Sequence, residues 1–184
     1  MLRPLASWLL KRLGWSILPQ PEVSPRVSVI CVAPHTSNLD FFIGKLYYMT
    51  IGKPSGFLMK QEWFVPPLGW ILRAMGGIPV RRGQRGQTVE RVRELLSSGR
   101  ELHIAITPEG TRSRREHWHH GFYYIALEAG VPIELAKIDY GAKQVGIFEV
   151  FTPTGNLEAD LAYIRNQYHA SEAKHPELFY EYKA

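Results

Sequence analysis

Apolar and polar positions along the chain switch between a strand period and a helix period. Val27 to Val32 is an apolar, β-branched run followed by Pro34, the pattern of a buried strand. Leu39 to Ile51 has helical spacing, and Gly56 to Met59 is a second short strand. A helix is predicted from Glu62 to Met75, interrupted near Pro66-Pro67, with another short strand at Ile78 to Val80. Val89, Val92, Leu95 and Leu96 form an apolar stripe opposite Arg91, Arg93 and Glu94, and that helix stops at Gly99. Leu102, Ile104 and Ile106 alternate as a strand that runs into a Pro108-Glu109-Gly110 turn. Phe122 to Ala129 is helical and ends at Gly130, Ile133 to Ile138 and Val145 to Val150 are strands, and an amphipathic helix runs from about Leu157 to Tyr168. Such alternation predicts an α/β domain: a mixed, largely parallel sheet flanked by helices, without internal repeats.

The first eighteen residues have their own pattern. Leu2, Leu5, Leu9 and Leu13 recur at helical spacing, Trp8 and Trp15 widen that face, and Arg3, Lys11 and Arg12 add cations. Lys11 and Arg12 interrupt what a signal peptide would need as its apolar region, and no small-residue cleavage site follows. Two readings stand: a helix packed on the domain's own core, or a monotopic anchor with Trp and Leu in the lipid interface and cations at lipid phosphates. Pro19-Gln20-Pro21 and Pro25 form a short linker, so the expected organisation is an amphipathic helix and linker over residues 1–25 and a single domain over 26–184. No stretch approaches the roughly 18 to 20 apolar residues that span a bilayer.

Composition narrows the classes. The 184 residues are 45% hydrophobic and 21% charged, ordinary globular usage that excludes intrinsic disorder. The single cysteine, Cys31, excludes an internal disulfide framework and a zinc site of several thiolates. The net charge of +5 is uneven: 17 basic against 8 acidic residues through Glu116, then 5 against 9 from His117 onward. A basic amino-terminal two-thirds points to an anionic partner: a nucleic acid, a phosphorylated metabolite or a membrane surface.

Ligands of open α/β sheets sit beyond the carboxyl ends of the strands. Three loops there carry polar residues directly after an apolar strand: His35 to Asp40, Arg81 to Arg85, and Pro108 to Arg115. In the first, a carboxylate five residues after a histidine can orient one ring nitrogen and leave the other as a base. No serine or cysteine nucleophile in an elbow context accompanies this pair, so the nucleophile would be a hydroxyl of the substrate. The plainer alternative makes Asp40 a helix-start residue, with Ser37 or Asn38 as cap. In the third loop Gly110 permits a tight turn and Arg112 offers a forked donor pair to a phosphate or carboxylate. Glu109 could hold Arg112 or accept from a ligand hydroxyl; the alternative is a solvated turn with an ion pair. Arg81 and Arg82 end a short strand and again suit an anion. They lack the interleaved aromatics that nucleic-acid binding would want, so no nucleic acid is expected as partner, and a basic nucleic-acid-binding module using Arg81 to Arg115 is kept only as the alternative of another class. Glu116-His117-Trp118-His119-His120 supplies donors without a partner ligand set, and no metal is assigned to it.

Together these elements resemble the glycerolipid acyltransferase family typified by 1-acylglycerol-3-phosphate acyltransferases. The family's four blocks correspond in order to His35…Asp40, Gly77-Ile78-Pro79-Val80-Arg81-Arg82, Pro108-Glu109-Gly110-Thr111-Arg112-Ser113-Arg114 and Val131-Pro132-Ile133. Lys60, in Met59-Lys60-Gln61-Glu62-Trp63, resembles the lysine before the family's second block. Pro34 stands where the family usually has Asn, the second block has paired arginines, and His119-His120-Gly121 replaces the frequent Lys-Lys-Gly. The resemblance implies acyl transfer from acyl-CoA or acyl-carrier protein to the hydroxyl of a lysophospholipid, at the cytoplasmic face of a membrane and without a cofactor. It implies His35 as general base and Asp40 as its orienting partner. Lys60, Arg81 or Arg82, Glu109 and Arg112 would bind the acceptor, with Gly110 and Thr111 shaping their loop. An acyl-amino acid lipid is the alternative acceptor.

Overall fold

A computed structural model describes residues 2–81 and 85–182. The elements in chain order are α1 (Leu2–Arg12), β1 (Ser16–Ile17), β2 (Val27–Val32), α2 (Leu39–Ile51), β3 (Ser55–Lys60), α3 (Leu68–Ala74), β4 (Gly77–Val80), α4 (Arg85–Leu96), β5 (Leu102–Ile106), α5 (Gly121–Ala129), β6 (Ile133–Asp139), β7 (Gln144–Phe151) and α6 (Leu157–Arg165). The seven strands form one sheet in the order β1-β7-β6-β2-β5-β3-β4. Every neighbouring pair is parallel except β6 and β7. The expected mixed, largely parallel sheet flanked by helices is what the chain forms.

The alternation of β2 builds two cores. Val29 and Cys31 face one side with Val92 and Leu96 of α4, Phe122 and Ile125 of α5, and Leu161 and Ile164 of α6. Ile30 faces the other side with Leu10 of α1, Trp15, and Ile43, Tyr47 and Tyr48 of α2. A strand covered on both faces is apolar throughout, which is why Val27 to Val32 shows no polar alternation beyond Ser28. The crossovers from β2 to β3 and from β3 to β4 move in one direction along the sheet, so right-handed connections put α2 and α3 on the same side. At the α3–β4 turn, Gly76 (φ 91°) lies so close to β3 that a Cβ would stand 2.4 Å from the Ser55 carbonyl oxygen. Only glycine combines that backbone with that approach.

The structure refines several sequence-based boundaries. The helix expected from Glu62 to Met75 is a 3₁₀ turn at Gln61–Trp63 followed by α3, because Pro66 and Pro67 supply no backbone donors. The last helix ends at Arg165 rather than Tyr168. Two-residue β1 was not expected; it pairs with β7, Ser16 opposite Gln144. Residues 1–25 therefore contribute both a helix and a strand to the same layers as the rest of the chain. One stripe of helix α1 packs on the domain's own core, the first of the two readings of its amphipathic pattern. Ala6 and Leu10 are buried and Arg3 Nη2 donates to the carbonyl of Gly52, at the end of α2 (3.0 Å). Leu5, Trp8 and Leu13 are 51%, 57% and 57% exposed, a second apolar stripe left uncovered. Among the described residues, no helix is long and apolar enough to cross a membrane.

Candidate active site

The loop leaving β2 folds back on the first turn of α2. Asp40 is 4% exposed, and its Oδ2 accepts from the backbone N–H of Thr36 (3.1 Å) and Ser37 (3.0 Å). The same oxygen meets His35 Nδ1 at 3.0 Å. A carboxylate only accepts, so Nδ1 carries the proton and Nε2 holds the free lone pair. Nε2 bonds to no described residue, and the His35 side chain is 20% exposed. Asp40 thus orients the imidazole and also anchors the start of α2, the two roles that the spacing left open as alternatives. Its other oxygen, Oδ1, accepts from the hydroxyl of Tyr140 at 2.7 Å. Burial, and then the hydrogen bond to Asp40, push the Tyr140 phenol far above its ordinary pKa, so it stays a donor.

Glu109 follows β5, the strand beside β2. Both of its carboxyl oxygens face the backbone N–H of His35, at 3.1 and 2.9 Å. It is 5% exposed, and burial pushes its pKa up to about 7 against the opposing hydrogen bond from His35. Arg112 Nη1 donates to Asn38 Oδ1, joining the β5 loop to the β2 loop a second time. Gly110 (φ 64°) takes the left-handed turn, and His119 packs where a Cβ would be, 2.7 Å from its ring. Thr111 Oγ1 accepts from the N–H of Ser113, closing the loop locally.

Lys60 ends β3 opposite Val80 of β4, and Arg81 follows immediately. Both are exposed, and Arg81 Nε donates to Gln61 Oε1 at 2.7 Å. Arg82 lies outside the described residues. Since β2, β5, β3 and β4 are consecutive and parallel, His35, Glu109, Arg112, Lys60 and Arg81 all emerge at one edge of the sheet. Hydrogen bonds join His35 to Asp40 and to Glu109, and Arg112 to Asn38; Lys60 and Arg81 form a separate exposed basic pair. Sequence reasoning missed Tyr140, and assigned Asn38 only a capping role. Neither has a motif signal, because each reaches its partner across the fold.

Two other features lie elsewhere. Ser28, His103 and Glu134 combine the residue types of a nucleophilic triad, but not its geometry. Ser28 Oγ (2.7 Å) and Glu134 Oε2 (3.2 Å) both meet Nδ1 of His103, while its buried Nε2 has no hydrogen-bond partner and lies 3.9 Å from Glu101 Oε1. All three side chains are buried at the amino ends of β2, β5 and β6, away from the His35 edge. A cavity of ≈ 400 Å³ bounded by Lys45, Ser55, Arg73, Gly76 and Leu102 also opens at the amino ends of the strands. Among the described residues, no three His, Cys, Asp or Glu side chains group as metal ligands.

The sequence profile described as Acyltransferase matches residues 17–134, well over half the chain. No curated protein matches the chain in sequence. Among solved structures it is similar to the 1-acyl-sn-glycerophosphate (LPA) acyltransferase PlsC from Thermotoga maritima, with a TM-score of 0.63 and 20% identity. The match covers 89% of this chain and 73% of that one, and shows a shared fold.

Proposed function

The chain belongs to the Acyltransferase family, and on that footing we propose that it moves a fatty acyl group from a thioester to the hydroxyl of a lysophospholipid. The observation that carries this reading is the His35 Nδ1–Asp40 Oδ2 contact of 3.0 Å, which leaves Nε2 unbonded at the edge of the sheet. There Nε2 takes the acceptor's hydroxyl proton as the oxygen attacks the thioester carbonyl. The tetrahedral intermediate collapses, the C–S bond breaks, and the imidazolium returns the proton to the leaving thiolate. The products are an ester and a free thiol, and His35 ends neutral. A thioester is already activated, so a positioned base and acceptor suffice without a covalent enzyme intermediate.

The donor is acyl-CoA or acyl-carrier protein, and the acceptor 1-acylglycerol-3-phosphate, the substrate type named for the T. maritima structure. Lys60, Arg81, Arg82 and Arg112 are the cations offered to its phosphate, and Gly110 and Thr111 shape the loop that presents Arg112. Glu109 acts through the backbone of His35, holding the loop that aims the base.

The enzyme works at the cytoplasmic face of a membrane, where such acceptors partition. The uncovered Leu5 and Trp8 of α1 with Leu13 just after it, and exposed Trp63, Val65, Trp70 and Ile71 around α3, support that reading. Both stripes belong to the helix layer that carries α2. The test is an acyl-transfer assay with both donors and with acceptors bearing or lacking a phosphate, His35→Ala serving as control. Transfer that depends on His35 and prefers 1-acylglycerol-3-phosphate is expected. A wild type without transfer to any acceptor, or a fully active His35→Ala, sinks the assignment.

A further inference from the structure

The contacts of Asp40 extend the site to a residue that no motif marks. We propose that Tyr140, buttressed by Trp15 from the amino-terminal segment, is a positioning residue that sets the orientation and basicity of the His35–Asp40 pair. The proposal rests on the acyl-transfer reading only for its kinetic readouts.

The Asp40 carboxylate is divided between two tasks. Oδ2 takes the His35 ring and two backbone N–H groups of its own loop. All of those donors lie within five residues of Asp40, in the one loop that leaves β2. Oδ1 has Tyr140 as its donor, at 2.7 Å and from 100 residues away. A buried carboxylate oxygen stripped of its donor is costly and leaves the group free to rotate.

Tyr140 is itself held from two directions. Its backbone N–H donates to the carbonyl of Glu172 at 2.9 Å. Its ring meets Trp15 edge-to-face, with centroids 5.1 Å apart and planes at 86°. Lys143 Nζ sits 5.0 Å from the Trp15 ring and 5.8 Å from the Tyr140 ring, closing the stack. Trp15 is buried, and its backbone N–H donates to the Leu10 carbonyl in the last turn of α1. A continuous chain of contacts therefore runs from α1 through Trp15 and Tyr140 to Asp40 and His35.

The electrostatic consequence has a sign. The phenol withdraws charge from the Asp40 carboxylate and so limits how strongly that carboxylate stabilises the imidazolium. Removing the hydroxyl leaves a more negative partner, and His35 holds its proton to higher pH. The carboxyl of Glu109 interacts with both His35 and Asp40, and the Lys143 cation sits beside the Tyr140 ring.

Tyr140→Phe keeps the ring and its packing, so the domain stays folded. Histidine ring resonances in NMR, with His35 assigned by comparison with His35→Ala, report the titration without any assay. The His35 midpoint is expected to rise by about half a pH unit or more. In the assay, kcat is expected to fall about tenfold with KM little changed, and the acid limb of the pH profile to move up. Trp15→Leu is expected to move the midpoint in the same direction by less, and Trp15→Phe, which keeps a ring edge, to restore it. A His35 midpoint in Tyr140→Phe that stays in place or falls overturns the proposal. Absence of acyl transfer in the wild type would sink the functional reading alone, because the NMR titration decides the role of Tyr140 independently.

Discussion

Both carboxyl oxygens of Glu109 face one backbone N–H, that of His35, at 3.1 and 2.9 Å. This acidic side chain of the β5 loop therefore pins the loop carrying the proposed base. Burial raises its folded pKa to about 7 from 4.5. The folded state then binds the extra proton between those values, and stability falls as pH rises through that window. The contribution is fully present below about pH 4.5 and lost above about pH 7, worth at most about 3 kcal/mol. Urea denaturation across this range should show that fall in the wild type and a flatter profile in Glu109→Gln. Equal slopes would mean that folding leaves the Glu109 pKa unshifted.

The pairing of His35 with Asp40 predicts a kinetic separation between two substitutions. His35→Ala removes the base and should lower kcat about a hundredfold or more. Asp40→Asn keeps the size but loses the partner that fixes the Nδ1 proton, and should lower kcat strongly while leaving KM near the wild-type value. Steady-state rates at saturating donor separate the two parameters. An Asp40→Asn change confined to KM would assign the carboxylate to acceptor binding.

Arg112 reaches the dyad loop through Asn38, and its fork suits a phosphate better than a point charge does. Arg112→Lys should raise KM for a phosphate-bearing acceptor about tenfold. An acceptor without phosphate should show little change. Parallel losses on both acceptors would place Arg112 in loop structure and leave the phosphate to Lys60 and Arg81.

The two faces of α1 predict opposite phenotypes. Exchanging Leu5, Trp8 and Leu13 together for Ser should weaken sedimentation with anionic vesicles and leave thermal unfolding unchanged. Leu10→Ala creates a cavity beneath α2 and should destabilise the domain by about 2 to 5 kcal/mol. Deleting the first eighteen residues confounds the two, since Trp15 and the strand β1 leave with the helix. Unchanged vesicle binding in the triple variant would remove α1 from the membrane contact.

Much of the architecture is written locally in the sequence. Val27 to Val32 and Leu39 to Ile51 are found at their expected bounds, because period and the Pro34 and Gly52 punctuation act within a few residues. His35 and Asp40 were legible as a pair for the same reason: five residues of loop and first helical turn suffice to bring them together. The four residues between Asp139 and Gln144 allow only a tight return, which makes β6 and β7 antiparallel.

What the chain alone left open depends on partners far away along it. Period identified α1 as amphipathic but could not say which stripe is buried; that waited on the face of α2 that receives Ala6 and Leu10. Two-residue β1 carries too little pattern to be seen, and exists because β7 offers it a ladder. The sequence offers Glu109 its neighbour Arg112 or a ligand hydroxyl as partner; that it bonds the backbone of His35 depends on β5 lying against β2. Tyr140 has no motif; the β6–β7 turn delivers its hydroxyl to Asp40 from 100 residues away. The sequence determined which groups can do the chemistry, through contacts a few bonds apart. Tertiary packing decided which of them face each other, since a hydrogen bond selects its partner by distance in space and not by separation along the chain.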